Sequence, residues 1–167
     1  MSAPQQGDGT AAGQAGIELC LVRVGATTFG VPIQRMLEIL GAPAIQPVPL
    51  APSFIGGMLH YRGEALTAVS LRSLLDMPHY EGQPDVVVLE SPDGCFGLLV
   101  DEVSEVMTMQ PEWMQNNPSA LDERHRHLFA GTCKLKDGLL VMLDPDRLDP
   151  MQLLHCANGK ENCGCAR

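Results

Sequence analysis

Aromatic residues are scarce: one Trp, two Tyr and four Phe in 167 residues. Any core must therefore rest on Leu, Val, Ile, Met and Ala. Basic residues are scarce too, 11 Lys plus Arg against 20 Asp plus Glu, for a net charge of -9. That balance excludes a protein that works by wrapping nucleic acid, which needs a basic stripe to displace counterions. It also disfavours attachment to an anionic membrane surface. No apolar run reaches the roughly 18 residues of a membrane-spanning helix. Residues 1–16 are dominated by Ala, Gly and Gln, with neither a basic start nor an apolar centre, so they do not read as a secretory signal. A cytoplasmic location with reduced thiols is the expectation.

The motifs of common catalysis are missing as well. The sequence has no Walker loop, no dinucleotide glycine motif, no His-Glu-x-x-His pair and no Gly-x-Ser-x-Gly elbow. No catalytic residue and no cofactor are assigned, and the expectation is a protein that is not an enzyme.

Hydrophobic residues nevertheless make up 45% of the chain, enough for a folded core. They fall in short β-branched runs separated by Gly turns. Residues 17–24, 27–31, 37–40, 55–61, 65–69, 85–90, 95–100, 103–109, 128–135 and 139–143 read as strands. Arg62-Gly63-Glu64, Ser91-Pro-Asp-Gly94 and Lys136-Asp137-Gly138 read as hairpin turns. Residues 71–77 read as a short helix. A second helix starts at Asp144, with Pro145 in its first turn, and runs toward His155. Residues 41–52 carry four prolines and read as an extended surface loop. Residues 112–127 look polar and irregular, with room for one helical turn. Cys20, Cys95 and Cys133 sit in apolar runs and read as small buried hydrophobes. Short strands with glycine turns suggest a sandwich or a barrel.

The pattern occurs twice. Phe29-Gly-Val-Pro-Ile through Glu38-Ile-Leu lies over Phe96-Gly-Leu-Leu-Val through Glu105-Val-Met, and the segment from Gly57 lies over the segment from Gly131. A duplication of this kind implies two related small barrels, each too small to be comfortable alone, with a groove between them as a natural binding surface. The domain reading is a flexible leader at 1–16, a paired-barrel domain at 17–154 whose chain can cross between the barrels, and a flexible Cys-containing tail at 155–167.

Three blocks in order carry a family resemblance: Phe29-Gly-Val-Pro-Ile with Leu37-Glu38-Ile39, then Pro52-Ser-Phe-Ile-Gly-Gly57-Met-Leu-His-Tyr-Arg62-Gly63, then Gly97-Leu-Leu-Val-Asp-Glu-Val-Ser-Glu-Val106. Together they resemble the CheW family of bacterial chemotaxis coupling proteins, over most of the chain between the two tails. The resemblance implies a mainly β fold of two pseudo-symmetric, five-stranded SH3-like barrels with short helices and a C-terminal helix. It implies a non-enzymatic adaptor or scaffold in two-component signal transduction, which couples the cytoplasmic tips of methyl-accepting chemoreceptors to the regulatory domain of a CheA-type histidine kinase. It also implies recruitment to receptor arrays at the inner membrane. Two positions depart from the family pattern: His60, where Asn is common, and Ser70, where an acid is common.

Candidate functional residues follow in two groups. Glu38 stands between two apolar residues, so it either points to water from a half-buried strand or sits at an interface. Arg62 sits at a hairpin tip, where its planar fork can pair with a carboxylate. With the resemblance, Glu38, Arg62, Gly57 and Gly63 become partner-binding candidates, while Val86, Val103 and Val106 read either as ordinary barrel core or as an apolar groove that takes a receptor's helical hairpin. The second group is an alternative: His155, Cys156, Cys163 and Cys165 offer zinc-type ligands, for a small metal- or redox-sensing regulator. Cys-x-Cys is not the usual zinc-knuckle spacing, and a reduced flexible tail explains the same residues. His125-Arg126-His127 is the densest cluster of bases and reads as a solvated loop.

Overall fold

The computed structural model describes residues 16–115, 123–136 and 138–157. The leader at 1–15, and Cys163 and Cys165 of the tail, lie outside the described residues.

Runs such as Val86-Val-Val-Leu89 carry apolar side chains on consecutive positions, which marks strands buried on both faces. The chain forms strands β1 (Ile17–Val24), β2 (Thr27–Pro32), β3 (Met36–Leu40), β4 (Ile55–Tyr61), β5 (Glu64–Ser70), β6 (Asp85–Ser91), β7 (Gly94–Val100), β8 (Glu102–Met109), β9 (Met114–Gln115), β10 (Phe129–Leu135) and β11 (Gly138–Leu143). Short helices α1 (Leu71–Leu74), α2 (Glu123–Arg126), α3 (Pro145–Leu148) and α4 (Pro150–Ala157) complete it. The strands make two sheets, in the orders β8-β1-β2-β11-β10-β9 and β3-β6-β7-β5-β4. The two-residue β9 is thus a sixth strand beyond the five expected of the first sheet.

The sequence echo reappears as topology. Strand by strand, β8-β1-β2-β11-β10 repeats the order β3-β6-β7-β5-β4. Each sheet has one parallel pair, with Gly30 opposite Met142 in one and Gly97 opposite Ala68 in the other. The bulges match too, between Ile55 and Gly57 on β4 and between Phe129 and Gly131 on β10. The halves are interlocked: β3 follows β2 into the other sheet, and β8 follows β7 back.

An ion pair holds each crossover. At the first, Arg35 in the 3-10 turn Ile33–Arg35 pairs with Asp146 of α3 at 2.5 Å and donates to the Glu90 carbonyl. At the second, Asp101, between β7 and β8, pairs with Arg72 of α1 at 2.8 Å. The equivalent helices α1 and α3 supply one partner each, with the charges reversed.

Three clusters fill the interior. Leu19, Leu21, Met109, Cys133, Leu140 and Met142 fill the six-stranded side, and Leu59, Leu66, Ala68, Val86 and Val88 the five-stranded side. The largest lies between the sheets, where Val22, Phe29 and Val31 meet Val87, Leu89, Phe96 and Leu98. The space between the sheets is therefore core and not the open groove expected from two juxtaposed barrels.

Other expectations need correcting. The helix from Asp144 is broken in two: Asp149 is extended (φ -57, ψ 129) because Pro150 disfavours helical backbone in the residue before it. Asp149 is buried, accepts from the Ser91 hydroxyl at 2.8 Å and the Met151 N–H at 2.9 Å, and so ties the start of α4 to the end of β6. The helix at 71–77 stops at Leu74; Ser70 caps its start by accepting from the Ser73 N–H, and Asp76 turns left-handed at φ 57. Cys95 is exposed, since it lies at the solvent end of the β6–β7 hairpin, whereas Cys20 and Cys133 are buried and their thiol pKa values are raised by desolvation. The bases at 125–127 are no solvated loop: His125 and Arg126 lie in α2, and His125 Nε2 sits 3.1 Å from Asp76 with its side chain largely covered.

Candidate functional site

Arg62 and Gly63 form the two-residue turn between β4 and β5, with φ values of 52° and 81°. Two positive φ angles suit the type I′ hairpin that matches strand twist. Glycine adopts them freely; arginine has a Cβ and does so at a cost of about 1–2 kcal/mol. Asn or Gly is the favoured choice at position 62 for folding alone, so the turn itself does not call for an Arg.

The Arg62 side chain reaches Glu38. Arg62 Nη2 donates to Glu38 Oε1 at 3.2 Å. Glu38 lies on β3, one edge of the five-stranded sheet, and Arg62 at the end of β4, the other edge. The sheet thus curls until side chains from its outermost strands touch. The pair is exposed, with side-chain exposures of 73% and 41%, so it contributes little to stability. A bulge between Met36 and Glu38 breaks the in-out alternation, and Leu37 and Ile39 are exposed on either side of Glu38. An edge strand with two bare apolar side chains beside an ion pair has the composition of a contact surface. Tyr61 adds an aromatic ring, whose centroid is 5.2 Å from Arg62 Cζ.

The other candidates divide. Gly57 is buried with φ 145, and a Cβ there would come within 2.5 Å of the Gln46 carbonyl, where the proline-rich segment bridges β4. Gly57 is required by the backbone, and Gly57→Ala is expected to cost about 1–3 kcal/mol, read from the urea midpoint of the isolated protein. A wild-type midpoint would show that the segment at Gln46 yields freely. Gly63 needs only its positive φ, with open space around it. Val86 is fully buried against Gly97, whose missing side chain makes room for it, so Val86 is core and not groove surface. Val103 is half-buried against the core between the sheets, and Val106 is exposed on β8 of the other sheet. The structure brings Glu38 and Arg62 together and leaves Val103 and Val106 on a separate element.

Sequence reasoning missed the Arg72–Asp101 pair. Arg72 Nε and Nη2 each donate to Asp101 at 2.8 Å, and Nη1 donates to the Pro78 carbonyl. The Gly25 N–H also donates to Asp101 at 2.8 Å. Desolvation pushes the Asp101 pKa up, but the Arg72 hydrogen bonds, the Gly25 N–H and the charges of Arg72 and Arg23 outweigh it and hold the pKa below its usual value. Arg72 moves the other way, raised first by its hydrogen bond to Asp101. The pair floors a cleft of about 760 Å³ between the proline-rich segment and residues 78–84, with Ile55 and Leu99 as its apolar base. The one sequence signal was an Asp closing the apolar run of β7.

Of the metal-ligand alternative, His155 and Cys156 fall in α4, but their side chains and the two remaining thiols lie outside what the structure describes. Among the described residues, no group of three or more His, Cys, Asp or Glu could hold a metal ion. No helix among them is long and apolar enough to cross a membrane.

Two interlocked β-sheets, one with an exposed, ion-paired edge, define a small mainly β protein. The chain belongs to the CheW-like domain family, whose model matches residues 18–150. It is 28% identical over 139 residues to the chemotaxis protein CheW of Rhizobium meliloti (strain 1021), covering 82% of this chain and 90% of that one. A shorter stretch of 58 residues is 41% identical to protein FrzA of Myxococcus xanthus, covering 35% of this chain and 36% of that one. The fold matches a crystal structure of the scaffolding protein TtCheW from Thermoanaerobacter tengcongensis, with a TM-score of 0.73 at 19% identity, over 81% of this chain and 93% of that one.

Proposed function

We propose that this chain is a non-enzymatic adaptor that couples the cytoplasmic tips of methyl-accepting chemoreceptors to the regulatory domain of a CheA-type histidine kinase. Family membership supports the class. The observation that carries the surface is the strained Arg62, held at a hairpin tip in contact with Glu38 between the exposed Leu37 and Ile39. In this reading Glu38, Arg62 and the β3 edge meet the kinase domain, and Val103 and Val106 of β8 take the receptor hairpin. The signal passes as a change in relative geometry, with no covalent step. Residues 17–154 carry the activity, in the cytoplasm and at receptor arrays.

Reconstitution tests it. Purified kinase, receptor-containing membranes and this chain are combined, and kinase autophosphorylation is followed. The expected result is receptor-dependent control of the kinase only when the chain is present. The same rate with and without the chain, for a cognate kinase and receptor, would sink the reading.

A further inference from the structure

Tyr61 closes β4 and is half-buried, its ring packed against the cluster of Leu59, Leu66, Ala68, Val86 and Val88. On its open side the ring meets the Arg62 guanidinium, and that guanidinium reaches across to Glu38. An exposed arginine samples many rotamers, and fixing one carries a cost in side-chain entropy. A rigid ring anchored in the core, with the cation over it, favours the rotamers that lay the guanidinium on the ring and so lowers that cost in advance. The adjacent His60 is exposed, as expected of the next position in an alternating strand, and offers no such support.

We propose that Tyr61 is a positioning residue of the coupling surface: its core-anchored ring holds the Arg62 guanidinium in the geometry, paired with Glu38, that a partner meets. The inference rests on the coupling reading and goes beyond it, by assigning the order of that surface to a residue that need not touch the partner. Tyr61 senses both charged neighbours. Its phenol pKa is raised first by desolvation, lowered by the charge of Arg62, and raised by a hydrogen bond to Glu38 and by the proximity of Glu38 and Cys95.

Two measurements test it. The chain has two tyrosines, so in a Tyr80→Phe background ultraviolet titration follows Tyr61 alone. Glu38→Gln should lower the phenol midpoint and Arg62→Ala should raise it; a midpoint unmoved by both overturns the contact. The second is affinity for the kinase regulatory domain. Tyr61→Leu should weaken binding about two- to fivefold, the equivalent of one exposed cation–π contact. Tyr61→Phe, which keeps the ring, should recover part of the loss. In an Arg62→Ala background Tyr61→Leu should cost nothing further, because the residue it positions is gone. An equal loss in both backgrounds overturns positioning in favour of direct contact. Wild-type affinity of Tyr61→Leu beside a clear Arg62→Ala defect overturns the Tyr61 inference alone. Wild-type affinity of Arg62→Ala removes the coupling reading of this surface, and with it the role given to Tyr61.

Discussion

Arg62→Glu is expected to weaken binding to the kinase regulatory domain severely while leaving the isolated protein folded. The substitution sets a second carboxylate beside Glu38, where a guanidinium stood at 3.2 Å. In the free protein both side chains are well exposed and water screens the repulsion, so the fold should lose no more than about 1 kcal/mol. In a complex the same groups are desolvated. Breaking a buried charged contact at an interface costs on the order of 2–5 kcal/mol, against far less at a rim. Glu38→Arg should be comparably harmful alone. If the two residues act mainly as a pair, the double swap should restore part of the affinity; if each contacts the partner separately, it should not. Arg62→Asn separates fold from function further. Asn accepts the left-handed backbone more readily, so the variant should be more stable than wild type by about 0.5–1 kcal/mol and still bind poorly. Calorimetric titration with the kinase domain and denaturant unfolding of the free protein are the paired measurements. Wild-type affinity for Arg62→Glu would remove the β3 edge from the coupling surface.

The strands were legible because local patterns set them. Residues 55–61 read as a strand and form β4 with the same ends, since a mainly apolar run there ends at the Arg62-Gly63 hairpin turn. The Arg62–Glu38 candidates were legible only through the family pattern. Taken alone, an acid in an apolar run and an arginine at a turn are ordinary surface features; their meeting depends on how far a sheet curls. Of the two readings of Val86, core or groove, the structure takes core, because β6 is covered on both faces: four successive apolar residues carry no alternation, and all four are buried. The break at Asp149 was readable from Pro150, but the favourable Pro145 at the helix start drew the helix through it. That the chain can cross between the halves was read from the sequence, but which strands cross, β3 and β8, and the ion pairs at each crossover are properties of topology. Arg72 and Asp101 are 29 residues apart and belong to elements with no shared pattern.

That hidden pair leads to the largest expected effect on stability. Arg72 and Asp101 have side-chain exposures of only 18% and 10%, and they tie α1 to the point where the chain leaves one sheet for the other. Removing one partner of such a pair strands the other charge at a half-buried place, which costs about 2–3 kcal/mol, less than the roughly 3–5 kcal/mol of a fully buried pair. Asp101→Ala also deprives the Gly25 N–H of its acceptor. Both Asp101→Ala and Arg72→Ala should therefore lower the urea midpoint strongly, and the double variant should lose less than the sum. The pH dependence has a definite sign. The folded pKa of Asp101 is depressed below its unfolded value of roughly 3.9. Between those two values the unfolded chain binds more protons, so stability rises with pH there. The contribution is fully present above the unfolded pKa and is lost as pH falls through the folded one. The gap in unfolding free energy between wild type and Asp101→Asn should accordingly stay level from neutral pH down to about 4–5 and then shrink on further acidification. A gap that keeps its neutral-pH size through that acid range would mean that Asp101 carries no folding-linked charge, and the crossover clamp would have to be packing alone.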